Sequence, residues 1–309
     1  MGSLADDMEK SKSHIKITEL HPYFGAEISG VNLSTPMSDD VFENIVALSA
    51  KYGVIVFRST GLDDTNHVEL ARRFGPLFSM KKVLGNTKTR LKTDELADLS
   101  NIDPDTGEPV PAEGPKAQIG RLASFFHPDL AYSQQRASWS LLRAHEIPPP
   151  GYGGDTIFAD TRTAFDQLDD VESGLKKRLL SKNYCGVHSW QHAQKISNPD
   201  LFKDLDPSAY PMARHQLVEL HQPSNRMNLY VGLYMHHIEC APKEDEEMAD
   251  LQHKLLKHAT QAKYQLHVEW HHPGDLVIWD NRTVLHKAGP GSYAGRFRRD
   301  LRRATVLDT

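Results

Sequence analysis

The apolar residues of this chain fall in short extended runs separated by Gly, Pro and Asn or Asp, and this punctuation restricts the fold more than any other feature. Val54-Ile55-Val56-Phe57 is the plainest early run and reads as a buried strand. Helical stretches are few. Ser38 can cap a segment that sets Val41, Phe42, Ile45, Val46 and Leu48 on one side and stops at Gly53. A second runs from about Thr65 to Phe74, ahead of Gly75; a third begins near Thr163 and is interrupted at Gly174. A fourth, from about Glu244 to Ala262, places Met248, Leu251, Leu255 and Ala259 at helical spacing. Residues 85–125 differ: rich in Asp, Thr, Gly, Pro and Lys, they show almost no periodic apolar pattern. A stretch of about 40 residues without elements of its own is usually a lid or binding loop. Residues 1–13 read as a disordered tail, and neither repeat nor linker divides the rest. The expectation is a single domain over 14–309, mainly β with peripheral helices, built as a β-sandwich or jelly roll.

Composition removes several function classes. The 36 basic and 41 acidic residues give a net charge of −5, so no global field draws the chain to nucleic acid or anionic lipid. No apolar run approaches the roughly 18 residues that cross a bilayer. The polar start MGSLADDMEKSKSH lacks the apolar core of a secretory signal, and Asp6 stands where a myristoylation motif needs Ser or Thr. Cys185 and Cys240 make no disulfide framework and read as idle thiols. A cytoplasmic protein without nucleic-acid or membrane partners is expected.

With 17 histidines, a single His carries little information. Constellations carry more. In Phe125-Phe126-His127-Pro128-Asp129, residues two apart project to one side of an extended segment, so His127 and Asp129 can face one metal. Alone, such a triplet is weak. Near the C-terminus, Gly274-Asp275 turns the chain into the apolar run Leu276–Trp279, Asp280-Asn281 breaks it, and His286 opens the next extended stretch. Two His and one carboxylate with open positions is the usual protein set for Fe(II) oxygenases, and His127, Asp129 and His286 supply it if a sandwich brings the halves together. His271 and His272 compete for the third place, but beside Pro273 they read as turn residues.

In the run 297–307, strand parity puts Phe297, Arg299, Leu301, Arg303, Thr305 and Leu307 on one face and Arg298, Asp300 and Arg302 on a solvated one. Arginine on an apolar face is costly unless an anion meets it, and its planar fork suits a carboxylate. Arg299 and Arg303 lie roughly 13 Å apart along a strand, which suggests two anionic groups, with protein carboxylates as the plain structural alternative. Gly153-Gly154-Asp155-Thr156 reads as a glycine turn leading into a strand.

Taken in order, these pieces resemble the taurine/2,4-dichlorophenoxyacetate dioxygenase family of Fe(II)- and 2-oxoglutarate-dependent oxygenases, over nearly the whole chain from Phe57-Arg58 onward. Gly-Gly-Asp-Thr (153–156), Trp-Asp-Asn-Arg-x-x-x-His (279–286) and Arg-Arg-x-Leu-x-Arg-Ala-Thr (298–305) carry the likeness. Glu95–Asn101, Phe158–Arg162 and the ending Leu-Arg-Arg-Ala-Thr-Val-Leu-Asp are similar to the 2,4-dichlorophenoxyacetate branch. The resemblance implies a double-stranded β-helix core and, by position, His127, Asp129 and His286 on iron. It implies Arg299 with Thr156 on the distal carboxylate of 2-oxoglutarate, and Arg303 on the substrate anion or the oxoacid's inner carboxylate. Asn101 is implied as a substrate contact, and Lys82, like Lys81 and Lys92, as added charge nearby. The cofactors would be Fe(II), 2-oxoglutarate and O2, and the reaction hydroxylation of a small anion with release of succinate and CO2, with C–O or C–S cleavage where the hydroxylated carbon permits. Desaturation, ring closure or rearrangement of an amino-acid-like substrate is the alternative outcome, and a homodimer is plausible by the same likeness. Phe126, Pro128 and Leu130-Ala131-Tyr132 depart from the family's usual Trp, small polar residue and Ser/Thr-x-Phe, so no particular herbicide follows as substrate. A zinc hydrolase would not need the paired arginines or the glycine turn, and a non-catalytic binding protein would not need the three ligands.

Overall fold

A computed structural model describes residues 15–34, 37–85, 89–240 and 245–309. Its strands are β1 (Lys16–Glu19), β2 (Ala26–Ser29), β3 (Val54–Phe57), β4 (Ala97–Asp98), β5 (Ala137–Glu146), β6 (Thr156–Asp160), β7 (Cys185–His188), β8 (Ala213–Gln216), β9 (Val218–His221), β10 (Arg226–Leu229), β11 (Met235–Glu239), β12 (Gln265–Val268), β13 (Leu276–Asp280), β14 (Val284–Ala288) and β15 (Asp300–Leu307). A seven-stranded sheet runs β1-β2-β3-β13-β5-β15-β4, beside smaller sheets β12-β6-β14, β11-β7-β8 and β10-β9.

The two short apolar runs read from sequence become central neighbours, β3 paired antiparallel to β13 with Val54 opposite Trp279. Alternation then divides their side chains. Val54, Val56, Val277 and Trp279, with Leu142, Ala144 and Leu301, meet Phe158, Leu266, Val268 and Val284 of the β12-β6-β14 sheet. Ile55, Phe57, Leu276 and Ile278, with Leu141, Ala304 and Val306, meet Ile45, Tyr52, Val68, Leu70 and Ala71 of the helices Asp39–Tyr52 and Asp64–Phe74. The large sheet is therefore covered on both faces, by helices outside and a second sheet inside. The chain is mainly β with peripheral helices. Helix Asp245–Ala259 buries Met248, Leu251, Leu255 and Ala259 in a further cluster behind β6 and β14. Among the described residues no helix is long and apolar enough to cross a membrane.

Three readings change. The helix expected near Thr163 starts at Thr161, because the Asp160 carboxylate caps the Thr163 N–H. Residues 85–125 are not without elements: β4 pairs with β15, and a helix Pro115–Gly120 leads into a 3-10 turn Arg121–Ser124. The buried Leu91, Leu96 and Ile102 tie the segment down singly, which a search for periodicity does not detect. The even face of β15 is not solvated either. Ala304 and Val306 are core, and Asp300, at 1% exposure, sits between Arg90 and Arg302. Charge there is matched by ion pairs with Asp64 and Asp98 from distant segments rather than by water.

Candidate active site

His127 and His286 are brought together by their own backbones. His127 N–H donates to the His286 carbonyl and His286 N–H to the His127 carbonyl, each at 3.0 Å, so the pair lies directly opposite on one antiparallel bridge. Their side chains share a face, with ring centroids 4.3 Å apart. Asp129, two residues beyond His127, returns to that face. One ligand atom from each of the three lies within 4.8 Å of the others, and all three residues are buried.

Neighbouring groups fix how these donors point. His127 Nδ1 lies 2.7 Å from the Phe125 carbonyl; the proton must sit on Nδ1, which leaves the Nε2 lone pair facing Asp129. His286 Nε2 is 3.6 Å from Asp129 Oδ1, and its Nδ1 is a buried atom without a hydrogen-bond partner among the described residues. The Ser140 hydroxyl donates to Asp129 Oδ2 at 2.7 Å, and Arg303 Nη1 lies 2.6 Å from Oδ1. Asn281 completes the support: its Oδ1 accepts from Asp129 N–H at 3.0 Å and Trp279 Nε1 at 2.9 Å, while its Nδ2 donates to Ser140 Oγ at 2.9 Å. Burial lowers His127 against the opposing pull of Asp129, and burial pushes His286 well below its ordinary value. Burial would raise the Asp129 carboxyl, but Arg303 first, then His286, His127 and Ser140, hold it below the usual range. Two neutral imidazoles and one carboxylate result. That donor set fits a divalent ion such as Fe(II) with coordination positions left over.

Arg299 is buried at 9% exposure and forms no salt bridge with a described carboxylate. Its Nε and Nη2 donate to the Gly154 carbonyl at 3.1 and 2.9 Å, and burial lowers the guanidinium against the pull of Tyr293 and Asp155. The glycine turn makes this approach possible: Gly154 has φ +93°, and a Cβ there would lie 3.1 Å from both Arg299 Nε and Tyr293. Thr156 is buried at the start of β6, on the same side as Phe158 by alternation.

The other candidates are placed differently. Asn101 spends its side chain on backbone, accepting from Arg299 N–H and donating to the Phe297 carbonyl, each at 2.8 Å. Lys81 and Lys92 are exposed. Lys82 is exposed as well, but its Nζ stands 5.8 Å from the Phe78 ring, and Phe78 packs on the buried cluster of Leu130, Ala137 and Leu307. His271 and His272 are exposed residues of the turn before β13.

Sequence reasoning did not anticipate Ser140, Asn281, Trp190 or Tyr234. Tyr234 meets the His127 ring edge-on at 5.7 Å, and Tyr132 and Trp190 pack on Tyr234 at 5.0 and 6.0 Å, making an aromatic wall. A polar Asn directly after an apolar strand was the one available signal, for Asn281; the others had none.

The family described as taurine catabolism dioxygenase TauD, TfdA family matches residues 16–305. An alpha-ketoglutarate-dependent 2,4-dichlorophenoxyacetate dioxygenase of Cupriavidus pinatubonensis is 34% identical over 94% of this chain and 96% of its own length. An (S)-phenoxypropionate/alpha-ketoglutarate-dioxygenase of Sphingobium herbicidovorans is 31% identical, covering 89% of each chain. The crystal structure of AAD-2 in complex with Mn(II) and N-oxalylglycine superposes with a TM-score of 0.80 at 26% identity, over 96% of this chain and 97% of that one. The chain belongs to the TauD/TfdA family of dioxygenases.

Proposed function

We propose that this protein hydroxylates a C–H bond of a small carboxylate- or sulfonate-bearing substrate, releasing succinate and CO2, with C–O or C–S cleavage where the hydroxylated carbon bears such a bond. As a family member it is an oxidoreductase that needs Fe(II), 2-oxoglutarate and O2. The observation carrying the reading is Arg299: a buried guanidinium that donates to the Gly154 carbonyl and forms no salt bridge with a described carboxylate, four residues before Arg303, which pairs with Asp129 of the buried His/His/Asp cluster. Bound iron supplies the chemistry that couples oxidative decarboxylation of the oxoacid to oxygen insertion.

The residues divide that work. Asp129 and the neutral imidazoles of His127 and His286 would hold the metal, kept in the right protonation state by burial and Arg303. Arg299, with the Thr156 hydroxyl, would take the distal carboxylate of 2-oxoglutarate, since a buried cation needs a fixed counter-charge. Arg303 would serve the substrate anion or the inner carboxylate, with Lys82 adding charge at the rim. Trp279, Phe158 and Tyr234 exclude water around the cluster; rings of the first two lie 4.7 and 6.3 Å from His286. The two packed layers support a double-stranded β-helix core in one domain over 14–309, with 85–125 as its lid. The substrates named for the relatives, a chlorinated phenoxyacetate and a phenoxypropionate, fit the small-anion class.

Anaerobic titration of the Fe(II)-loaded protein with 2-oxoglutarate tests this through the weak visible band of the chelate. Saturation is expected, and His127→Ala or Asp129→Ala should abolish the band while the protein stays folded. Iron binding without a band would remove the oxoacid assignment; a normal band in either variant would remove the metal site.

A further inference from the structure

Arg299 does not hold its place unaided. Residues 97–101 run antiparallel beside the C-terminal strand: β4 pairs Ala97 with Arg303, Leu99 N–H donates to the Leu301 carbonyl at 2.9 Å, and Asn101 N–H to the Arg299 carbonyl at 3.1 Å. Beyond Asn101 this backbone ladder stops, because Val110 N–H takes the Asn101 carbonyl at 2.8 Å and the chain turns away. The Asn101 side chain continues the pairing. Its Oδ1 accepts the Arg299 N–H and its Nδ2 donates to the Phe297 carbonyl, so one amide stands in for the strand residue that would otherwise lie there. All four polar groups of Asn101 are thereby used, and its amide spans the approach to Arg299.

We propose that Asn101 is a positioning residue for 2-oxoglutarate binding: it fixes the backbone at 297–299 and so sets the direction in which Arg299 leaves the strand. The inference rests on the assignment of Arg299 to the oxoacid carboxylate. It also gives residues 97–110 a second duty, because displacing that segment removes the partners of the Arg299 backbone. A fork aimed at a carboxylate tolerates little error in origin, so two neutral hydrogen bonds to backbone control a charged contact they do not touch.

Two measurements on the whole chain test it. Hydrogen exchange on the protein alone reads the Arg299 amide, whose acceptor among the described residues is Asn101 Oδ1; Asn101→Ala should strip its protection. Anaerobic calorimetric titration of the Fe(II) protein with 2-oxoglutarate should then show binding weakened about tenfold or more. Ile102→Val trims a fully buried residue of the same segment and serves as the control for general loosening. It should leave both readouts near wild type at a comparable melting temperature. Asn101→Asp keeps the acceptor and should retain protection of the amide, which covers the case in which the alanine variant fails to fold. Unchanged 2-oxoglutarate affinity in Asn101→Ala overturns the proposal, and so does an equal loss in Ile102→Val. If wild type binds no 2-oxoglutarate at all, the functional reading fails, while the exchange experiment still decides whether Asn101 holds the Arg299 backbone.

Discussion

Replacing Arg299 with methionine separates a ligand-binding role from a structural one. Methionine approximates the length of the side chain and removes only the fork and its charge. In the complex, that fork would face a carboxylate inside a site where Arg299 is 9% exposed. Removing one partner of a buried, hydrogen-bonded ion pair costs about 3–5 kcal/mol, so 2-oxoglutarate should bind roughly two to three and a half orders of magnitude more weakly at about 1.4 kcal/mol per decade. The protein alone should respond differently. There the guanidinium is a buried cation whose acceptor is the Gly154 carbonyl, and losing two hydrogen bonds is offset by no longer burying a charge. A net change within about 1 kcal/mol is expected, which limits the shift in melting temperature to roughly 2 °C for a chain this size. The assay is chelate-band titration of both proteins, paired with thermal melts before loading. Unchanged affinity would place the distal carboxylate elsewhere. A large fall in melting temperature with only a matching fall in affinity would make Arg299 a structural residue.

Further outcomes can be read from neighbouring groups. Asn281→Ala removes the acceptor for Asp129 N–H and the donor to Ser140; Fe(II) affinity should fall by about 10- to 100-fold, and an unchanged metal dissociation constant would dismiss this support. Gly154→Ala places a Cβ 3.1 Å from Arg299 Nε at φ +93°, so 2-oxoglutarate affinity should drop while metal binding, measured separately, stays. His67 and His188 are lowered to about 3, each by burial first and then by Arg143 and His215 respectively. Between that value and their unfolded value near 6.5 only the unfolded chain binds the extra protons. Stability should therefore fall as pH falls through this window, by about 1.4 kcal/mol per pH unit for each histidine. Urea melts at pH 7 and 5 should show a smaller loss for His67→Gln than for wild type; equal losses would exclude His67 as a contributor.

The legible parts of the site follow local rules. Spacing of two in an extended segment puts His127 and Asp129 on one side, and parity puts Arg299 and Arg303 on one face of β15. His286 depends on a bridge joining residues distant in sequence, and only the motif 279–286 indicated it. The even face of β15 was misread because Asp300 and Arg302 look like solvent-facing charges until Arg90 and Asp64 arrive from elsewhere in the fold. That residues 85–125 lack elements of their own fails for a related reason: Leu91, Leu96 and Ile102 are anchors without period, and β4 owes its existence to β15. Asn101 was legible as a polar residue near the site, but its partners are backbone atoms of residues 297 and 299, which no local pattern encodes.

The two faces of β15 show how one arginine-rich strand serves both stability and chemistry. On the outer face, Arg90, Arg143 and Arg302 are matched by Asp64, Asp98 and Asp300, so charge is satisfied within the protein and the strand is fixed by it. On the inner face, Arg303 has Asp129, whereas Arg299 forms no salt bridge with a described carboxylate. A divalent ion added beside Asp129 enlarges the positive excess there, and a dianionic oxoacid together with a monoanionic substrate would balance it. Placing another carboxylate on the inner face would satisfy Arg299 internally and remove the role proposed for it toward 2-oxoglutarate. Under the proposed function, buried charge left without a salt bridge at Arg299 is thus what suits this fold to anionic ligands, and the matched cluster behind it keeps Arg299 and Arg303 in register.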